Sequence, residues 1–488
     1  MIRLLSVSLG ALLLAVGCGK ANAPAARNDC VFEKLDLSAC DRSGLGALQT
    51  EGIWNMDLTF DDGEKSAGVL KYVGEPQISG LPITSKRVEP DVFVVASDVP
   101  AQDGSGNFQF LFAGCRSSAP TQVEGVFRRC FNGTQDLTGT FQARRIQRLA
   151  GEAEGSGIEF VSELALPEGV RAQDIVVAGG FAYVAALDKG LFIIDVSNPA
   201  VPSLAVSLTL SAAEADVWHQ VWVKGQTMYI ASTKRGVLVY DVTNPRAPRP
   251  VKSFPTDKAV DVRAVTMDGN WLYAASPFPN AEVLIFDATN PQELVVAKRY
   301  YVEETNPAAG QRPYDVLARD GRLYVSHWSY GLAVSDVTNP RQPKRLGNYV
   351  YADATTRTVA VGTFGSRTVA FEAGEAWGAH LRVLDVSAPD VIITQASEFQ
   401  LRPEVSIRSL ALAGTRLYVA HHQDGLRVLD VSNPNEPHPV GYFNTWRETD
   451  KDRGASFFEG ITDVAVPGDG YIYAAETSRG LVILRENP

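Results

Sequence analysis

The sequence predicts an all-β protein, a seven-bladed β-propeller of four-stranded blades preceded by a small disulfide-bonded β-sheet or barrel domain. Three observations carry this. An apolar segment ending in Asp recurs every 45 to 49 residues, an aromatic precedes each copy at a near-fixed distance, and four of the five cysteines cluster between residue 30 and the first repeat.

In chain order, the first element is a leader. Arg3 is followed by the apolar run Leu4–Val16, interrupted only by Ser6, Ser8 and Gly10, too short to span a bilayer and of the size of a signal-peptide core. It ends in Ala15-Val16-Gly17-Cys18, which resembles the bacterial lipobox, where a peptidase cuts before a Cys that carries diacylglycerol. Ala15 stands where that motif usually has Leu, with Leu14 beside it. The resemblance implies a signal peptide over 1–17, lipidation of Cys18, and an address in the bacterial cell envelope, periplasmic or surface-exposed. Gly19 in place of Asp after the Cys implies the outer membrane. Residues 18–29, rich in Ala and Asn, read as a lipidated tether.

Residues 30–150 form the small β domain. Strands are expected at Ile53–Phe60, Ala67–Val73, Val92–Ser97, Asn107–Phe112, Val123–Arg128 and Leu137–Ile146, with Asp61-Asp62-Gly63 and Asn132-Gly133 as turns. Gly52-Ile53-Trp54 is faintly lipocalin-like, although an early Trp in a barrel is more often core than ligand contact. Export to an oxidising compartment makes Cys30, Cys40, Cys115 and Cys130 two disulfides. Of the three pairings, closeness in sequence favours Cys30–Cys40 with Cys115–Cys130. Zinc is disfavoured, because the chain has no C-x-x-C and no His before His219.

Residues 151–157, GEAEGSG, read as a linker, and 158–488 as the repeat ring. The motif Asp falls at 195, 241, 287, 336, 385 and 430, and a seventh, degenerate copy carries Arg485 at that place. Upstream of the copies, apolar strands end in Tyr183, Tyr229, Tyr273, Tyr324, Phe371, Tyr418 and Tyr473. Where the aromatic lies seven residues before the motif start, that start is Gly; at Glu282 and His380 the distance is nine and the Gly is absent. The Gly is therefore turn chemistry, supplying a positive φ that a longer loop does not need. The Asp-Val-Ser/Thr-Asn-Pro segment reads as a turn into the fourth strand, its Asp accepting from backbone amides two residues on. Seven copies offer only six following fourth strands, so Ile158–Leu166 is expected to supply the missing one and close the ring. These copies resemble the LVIVD-repeat family, whose members look like exported bacterial β-propellers generally without an assigned reaction. The resemblance implies architecture and location, and carries no catalytic residues over.

Ring topology gathers the connections from strand two to three, and from strand four to the next blade, on one face. The candidate binding face there comprises His219, Arg263, Asp315, His327, Trp328, His421, His422 and Glu476, with Trp218, Arg312, Trp377, Arg408 and Asp463 alongside. His327, His421 and His422 with Glu476 have the chemistry of a divalent-metal site, weighed against a solvated polar rim. Glu448, Asp450, Asp452 and Glu459 fall at calcium-loop positions, weak metal candidates because Arg453 occupies the turn place and no helices flank them.

The net charge of -11 argues against nucleic acid. No G-x-S-x-G, H-E-x-x-H or G-x-x-x-x-G-K occurs, and the sequence implies no cofactor. The preferred expectation is a membrane-anchored, non-catalytic binding or scaffold module for a protein or glycan partner. The alternative is a propeller enzyme, such as a metal-dependent hydrolase, at the channel mouth.

Overall fold

The computed structural model describes residues 30–487, apart from 102, 212, 256–259 and 449–455. The leader, Cys18, the tether, Asp450 and Asp452 therefore lie outside the described residues. The chain divides into two compact units, one built from 30–149 with 456–458, the other from 150–448 with 459–487.

The first unit is a curled sheet of nine antiparallel strands, in the order Leu81–Pro82, Gln77–Ile78, Lys65–Lys71, Ile53–Phe60, Thr134–Arg145, Gln122–Phe131, Asn107–Ala119, Val92–Pro100, Ser85–Glu89. This is an up-and-down meander whose first and last strands, Ile53–Phe60 and Thr134–Arg145, pair with each other, so the two sheet ends are neighbours in sequence. All six expected strands are present. The three additional ones escape sequence reading because two are only two residues long and the third, SKRVE, is mostly polar. Alternation drives the curl, with every second residue of Gln122–Arg129 buried. Trp54, Met56, Leu58, Phe110, Phe112, Phe127 and Phe141 fill the concave side. Trp54 is core, 1% exposed, its indole Nε1 donating to Thr50 O at 3.1 Å.

The disulfide pairing differs from the expectation. The bonds are Cys30–Cys130 and Cys40–Cys115, with Cα separations of 6.0 and 4.4 Å. Cys130 stands across from Gln109 on the neighbouring strand, six residues from Cys115. At the usual strand rise that is about 20 Å, far beyond the reach of a disulfide. Each Cys on the sheet instead bonds to the N-terminal segment, whose Phe32, Leu35 and Leu37 pack on Val92, Val94 and Ala113.

The second unit is a ring of seven antiparallel sheets. Blade one comprises Asp174–Ala178, Phe181–Ala185, Leu191–Asp195 and Ser203–Leu208, and five further blades repeat this meander, with inner strands starting at Trp218, Ala264, Asp315, Thr356 and Ser409. Blade seven, Ile461–Ala465, Ile472–Glu476 and Gly480–Glu486, takes its outer strand from Ile158–Leu164, as the strand count required. Arg485, the departure from the motif, donates to Glu159 on that closing strand at 2.6 Å. The segment read as a linker lies along blade six: Gly155–Ser156 pairs with Tyr442 and Phe443, and Glu152 binds Arg427 at 2.6 Å.

The aromatics sit mid-strand, not at strand ends, all at 6% exposure or less, wedged between adjacent blades. Every motif Asp accepts from the residue two on, for instance Thr338 N to Asp336 at 2.8 Å and Ser432 N to Asp430 at 2.8 Å. These bonds pull the carboxyls of Asp241 and Asp430 down to about 2, led by the side-chain bonds to Thr243 and Ser432. The carboxylates are thus committed to turns. At the motif start, Gly190, Gly236, Gly331, Gly425 and Gly480 all have φ between +69 and +96°. In the two longer turns the left-handed residue moves to Ala281 and Gly378, which frees Glu282 and His380.

Candidate functional site

Each innermost strand enters the ring at the face carrying the strand-two-to-three turns, and its first residues line the central channel. Six blades contribute Gln173, His219, Arg263, Arg357, Arg408 and Thr462, followed one residue on by Asp174, Gln220, Ala264, Thr358, Ser409 and Asp463; Asp315 lines the channel from blade four, after Tyr314. The cavity between these side chains is about 20 Å³. That is room for little more than one water.

The second position stitches blades together. Asp174 accepts from Val221 N of the next blade at 2.9 Å, Gln220 from Val265 N at 2.6 Å, and Asp463 from Ile175 N at 2.9 Å, across the closure. Ser409 donates its hydroxyl to Asp463. The equivalent backbone amide is met in these three blades, so Asp174, Gln220 and Asp463 carry a repeated structural duty.

The first position supplies charge. Arg263 pairs with Asp261 at 2.8 Å, while Arg357 and Arg408 share Glu375 at 3.2 and 3.4 Å. With its amide oxygen turned toward Arg408, Gln173 accepts from that guanidinium at 2.7 and 3.1 Å. Burial, then the positive field of Arg263, Arg357 and Arg408, holds the His219 imidazole well below its ordinary pKa, so it is neutral and bonds Thr233 Oγ1 at 2.8 Å. Burial pushes the Asp315 carboxyl up to about 6 against the pull of Arg357. Asp174 is also raised well above the usual carboxylate range, by burial and then by Asp463.

The channel thus brings together His219, Arg263 and Asp315 of the candidate face, with Arg408 and Asp463. His327, Trp328, His421, His422 and Glu476 lie elsewhere, in the strand-two-to-three turns. His327, His421 and Glu476 each stand four residues before a motif Gly, the place Ala186 takes in blade one. His327 N donates to Gly331 O and His421 N to Gly425 O, as Ala186 N does to Gly190 O. Trp328 and His422 repeat Leu187: all three have positive φ and bridge to the next blade's inner strand. Glu476 accepts from Ser478 N and Arg479 N in its own turn. Burial lowers His327 to about 4 and His422 to about 3. Among the described residues no three His, Cys, Asp or Glu side chains come close enough to hold a metal. Of the calcium-loop candidates, Glu459 is 1% exposed and occupied by Arg171 and by Thr477 Oγ1, and Glu448 is half-buried.

Sequence reading missed Gln173, Asp174, Arg357 and Thr462. A signal was present: Gln173, His219, Arg263, Tyr314 and Arg408 each lie ten residues before their blade's aromatic. Arg357 lies fourteen before Phe371, because the inner hairpin of blade five, Thr356–Phe364 with Arg367–Gly374, is longer.

Beside the channel, the mouth on blades three and four is aromatic and cationic. Arg312 stacks on Phe278 at 4.2 Å and donates to Pro277 O at 2.6 Å; Tyr314 packs on Trp328 at 5.2 Å. The arrangement suits contact with a surface laid over the mouth.

Comparison with known proteins locates three LVIVD repeats, at residues 169–209, 218–256 and 406–445, which are the first, second and sixth blades with their flanks. No curated protein matches the chain. Among solved structures, a crystal structure of the computationally designed Ika8 protein aligns at a TM-score of 0.46 and 8% identity, over 66% of this chain and 99% of that one. The chain thus carries LVIVD repeats in three blades of a seven-bladed β-propeller.

Proposed function

We propose that the protein is an exported bacterial lipoprotein, anchored through Cys18, whose propeller works as a binding or scaffold module with a partner seated on the channel mouth. The fold with its LVIVD repeats is consistent with a binding or scaffold module. The observation that carries the reading is the contrast between a channel with space for about 20 Å³ and a mouth lined by unlike, partly exposed aromatic and Arg side chains. A cavity of that size suits water better than an organic substrate, whereas exposed aromatic and Arg side chains are enriched at interface cores. The two disulfides of the first unit fit an oxidising compartment.

The test is photo-crosslinking in the native host. A crosslinker at Trp377, on the mouth, should trap a discrete adduct that the same group at Lys298, on an outer strand, does not. Equal labelling from both positions would sink the mouth as the binding face.

A further inference from the structure

The mouth is not uniform. Around Tyr314 lie three guanidiniums, those of Arg263, Arg312 and Arg357; burial pushes the Tyr314 phenol up and these three cations oppose it. Arg263 and Arg357 have carboxylate partners in Asp261 and Glu375. Arg312 has none among the described residues: its contacts are the Pro277 carbonyl and the Phe278 ring. The Tyr314 hydroxyl makes no hydrogen bond among the described residues, although its ring is held by Trp328 and its carbonyl accepts from Arg357 Nη1 at 3.1 Å. A half-buried guanidinium with its planar face already stacked has its remaining N–H groups presented in a fixed fork, which matches a carboxylate bidentately. The open phenol beside it adds a third donor.

We propose that Arg312 and Tyr314, flanked by Phe278 and Trp328, form a pocket for a carboxylate on an acidic segment of a protein partner, an inference that rests on the mouth being the binding face. Charge complementarity selects the occupant. The chain carries -11 overall, whereas Arg312 is a guanidinium with no carboxylate partner among the described residues, and such a cation steers and orients an acidic partner. The cavity beneath is too small to admit the partner, so the carboxylate is gripped at the rim.

The full chain titrated with an oligoglutamate peptide at low ionic strength should show saturable quenching of Trp fluorescence. Arg312→Gln should weaken binding about tenfold, Arg312→Lys by less because charge is kept while the fork is lost, and Tyr314→Phe about threefold. Arg116→Gln, in the first unit, should leave it unchanged. An unaltered melting temperature shows that each variant is folded, and the Lys variant keeps the test decisive if Gln unfolds the blade. The pocket is refuted if oligoglutamate does not bind, if Arg312→Gln binds as tightly as the parent, or if oligogalacturonate binds in its place, which would make the ligand a glycan. The two readings separate cleanly: adducts trapped at Trp377 with no effect of Arg312→Gln remove the pocket and leave the binding face, while loss of the adducts removes the face itself.

Discussion

Gly331 gives the sharpest stability prediction. Its φ is +79°, and a Cβ built there would stand 1.9 Å from the Tyr349 carbonyl oxygen on the outer strand of blade four. Gly414, in the turn between the first two strands of blade six, has φ +59° with nothing within 4 Å of the same added atom. Alanine at Gly414 incurs only the left-handed backbone term, about 1–2 kcal/mol, partly offset by a less flexible unfolded chain. Alanine at Gly331 incurs that and must also push Lys344–Tyr349 outward by more than an ångström, an overpacking term of about 1–3 kcal/mol. Gly331→Ala should therefore cost about 3–4 kcal/mol and Gly414→Ala about 1 kcal/mol. Urea unfolding followed by Trp fluorescence measures both as shifts in midpoint at constant m-value, read on the propeller transition. Equal losses would refute close approach as the second reason for Gly at the motif start. His380→Ala supplies a further check, since the left-handed residue of that turn is Gly378 and no backbone strain should appear.

Other expectations are equally direct. Non-reducing peptide mapping should recover Cys30 with Cys130 and Cys40 with Cys115, and reduction should destabilise the first unit by about 4 kcal/mol per bridge, since the bridges close spans of 100 and 75 residues. Asp315, raised to about 6, favours the fold fully below its unfolded value near 3.8, and this contribution is lost as pH rises through 6. Asp315→Asn should flatten the melting profile between pH 4 and 6; an unchanged slope would show that the carboxyl is not held protonated. The lowered turn carboxylates act oppositely, giving stability above 3.8 that disappears as pH falls toward 2, so Asp430→Ala should narrow the acid side of the profile. Cys18→Ser should move the protein from the membrane to the soluble fraction, and unchanged fractionation would remove the lipid anchor.

The blades were legible because each must solve the same packing problem, and a repeated solution shows as a period. Turn Gly and turn Asp were assigned correctly since their chemistry is local: a φ or a bond two residues along. The disulfides were misjudged because nearness in sequence says nothing about which way paired strands run, and antiparallel pairing sets Cys115 and Cys130 toward opposite ends of their hairpin. The candidate face was legible from ring topology, but not which of its residues meet at the channel. His219, Arg263 and Asp315 line the channel, while His327, His421 and His422, expected on the same face, stand in the strand-two-to-three turns, where their backbone closes each turn. Only comparison with Ala186 and Leu187, which do the same backbone work without a functional group, shows this.

Closure through Ile158–Leu164 has a consequence for biogenesis. The strand that completes the ring pairs Ile158 with Glu486, so the earliest and latest parts of the propeller are each other's neighbours. Until that pairing forms, blade seven has an open edge and blades one and six each lack a full wall on one side. A chain emerging from its N-terminus must keep that strand unpaired through the synthesis of everything between, and contacts of such long range form slowly. In the cell, the waiting strand is the part of this protein for which a chaperone has the longest opportunity to bind.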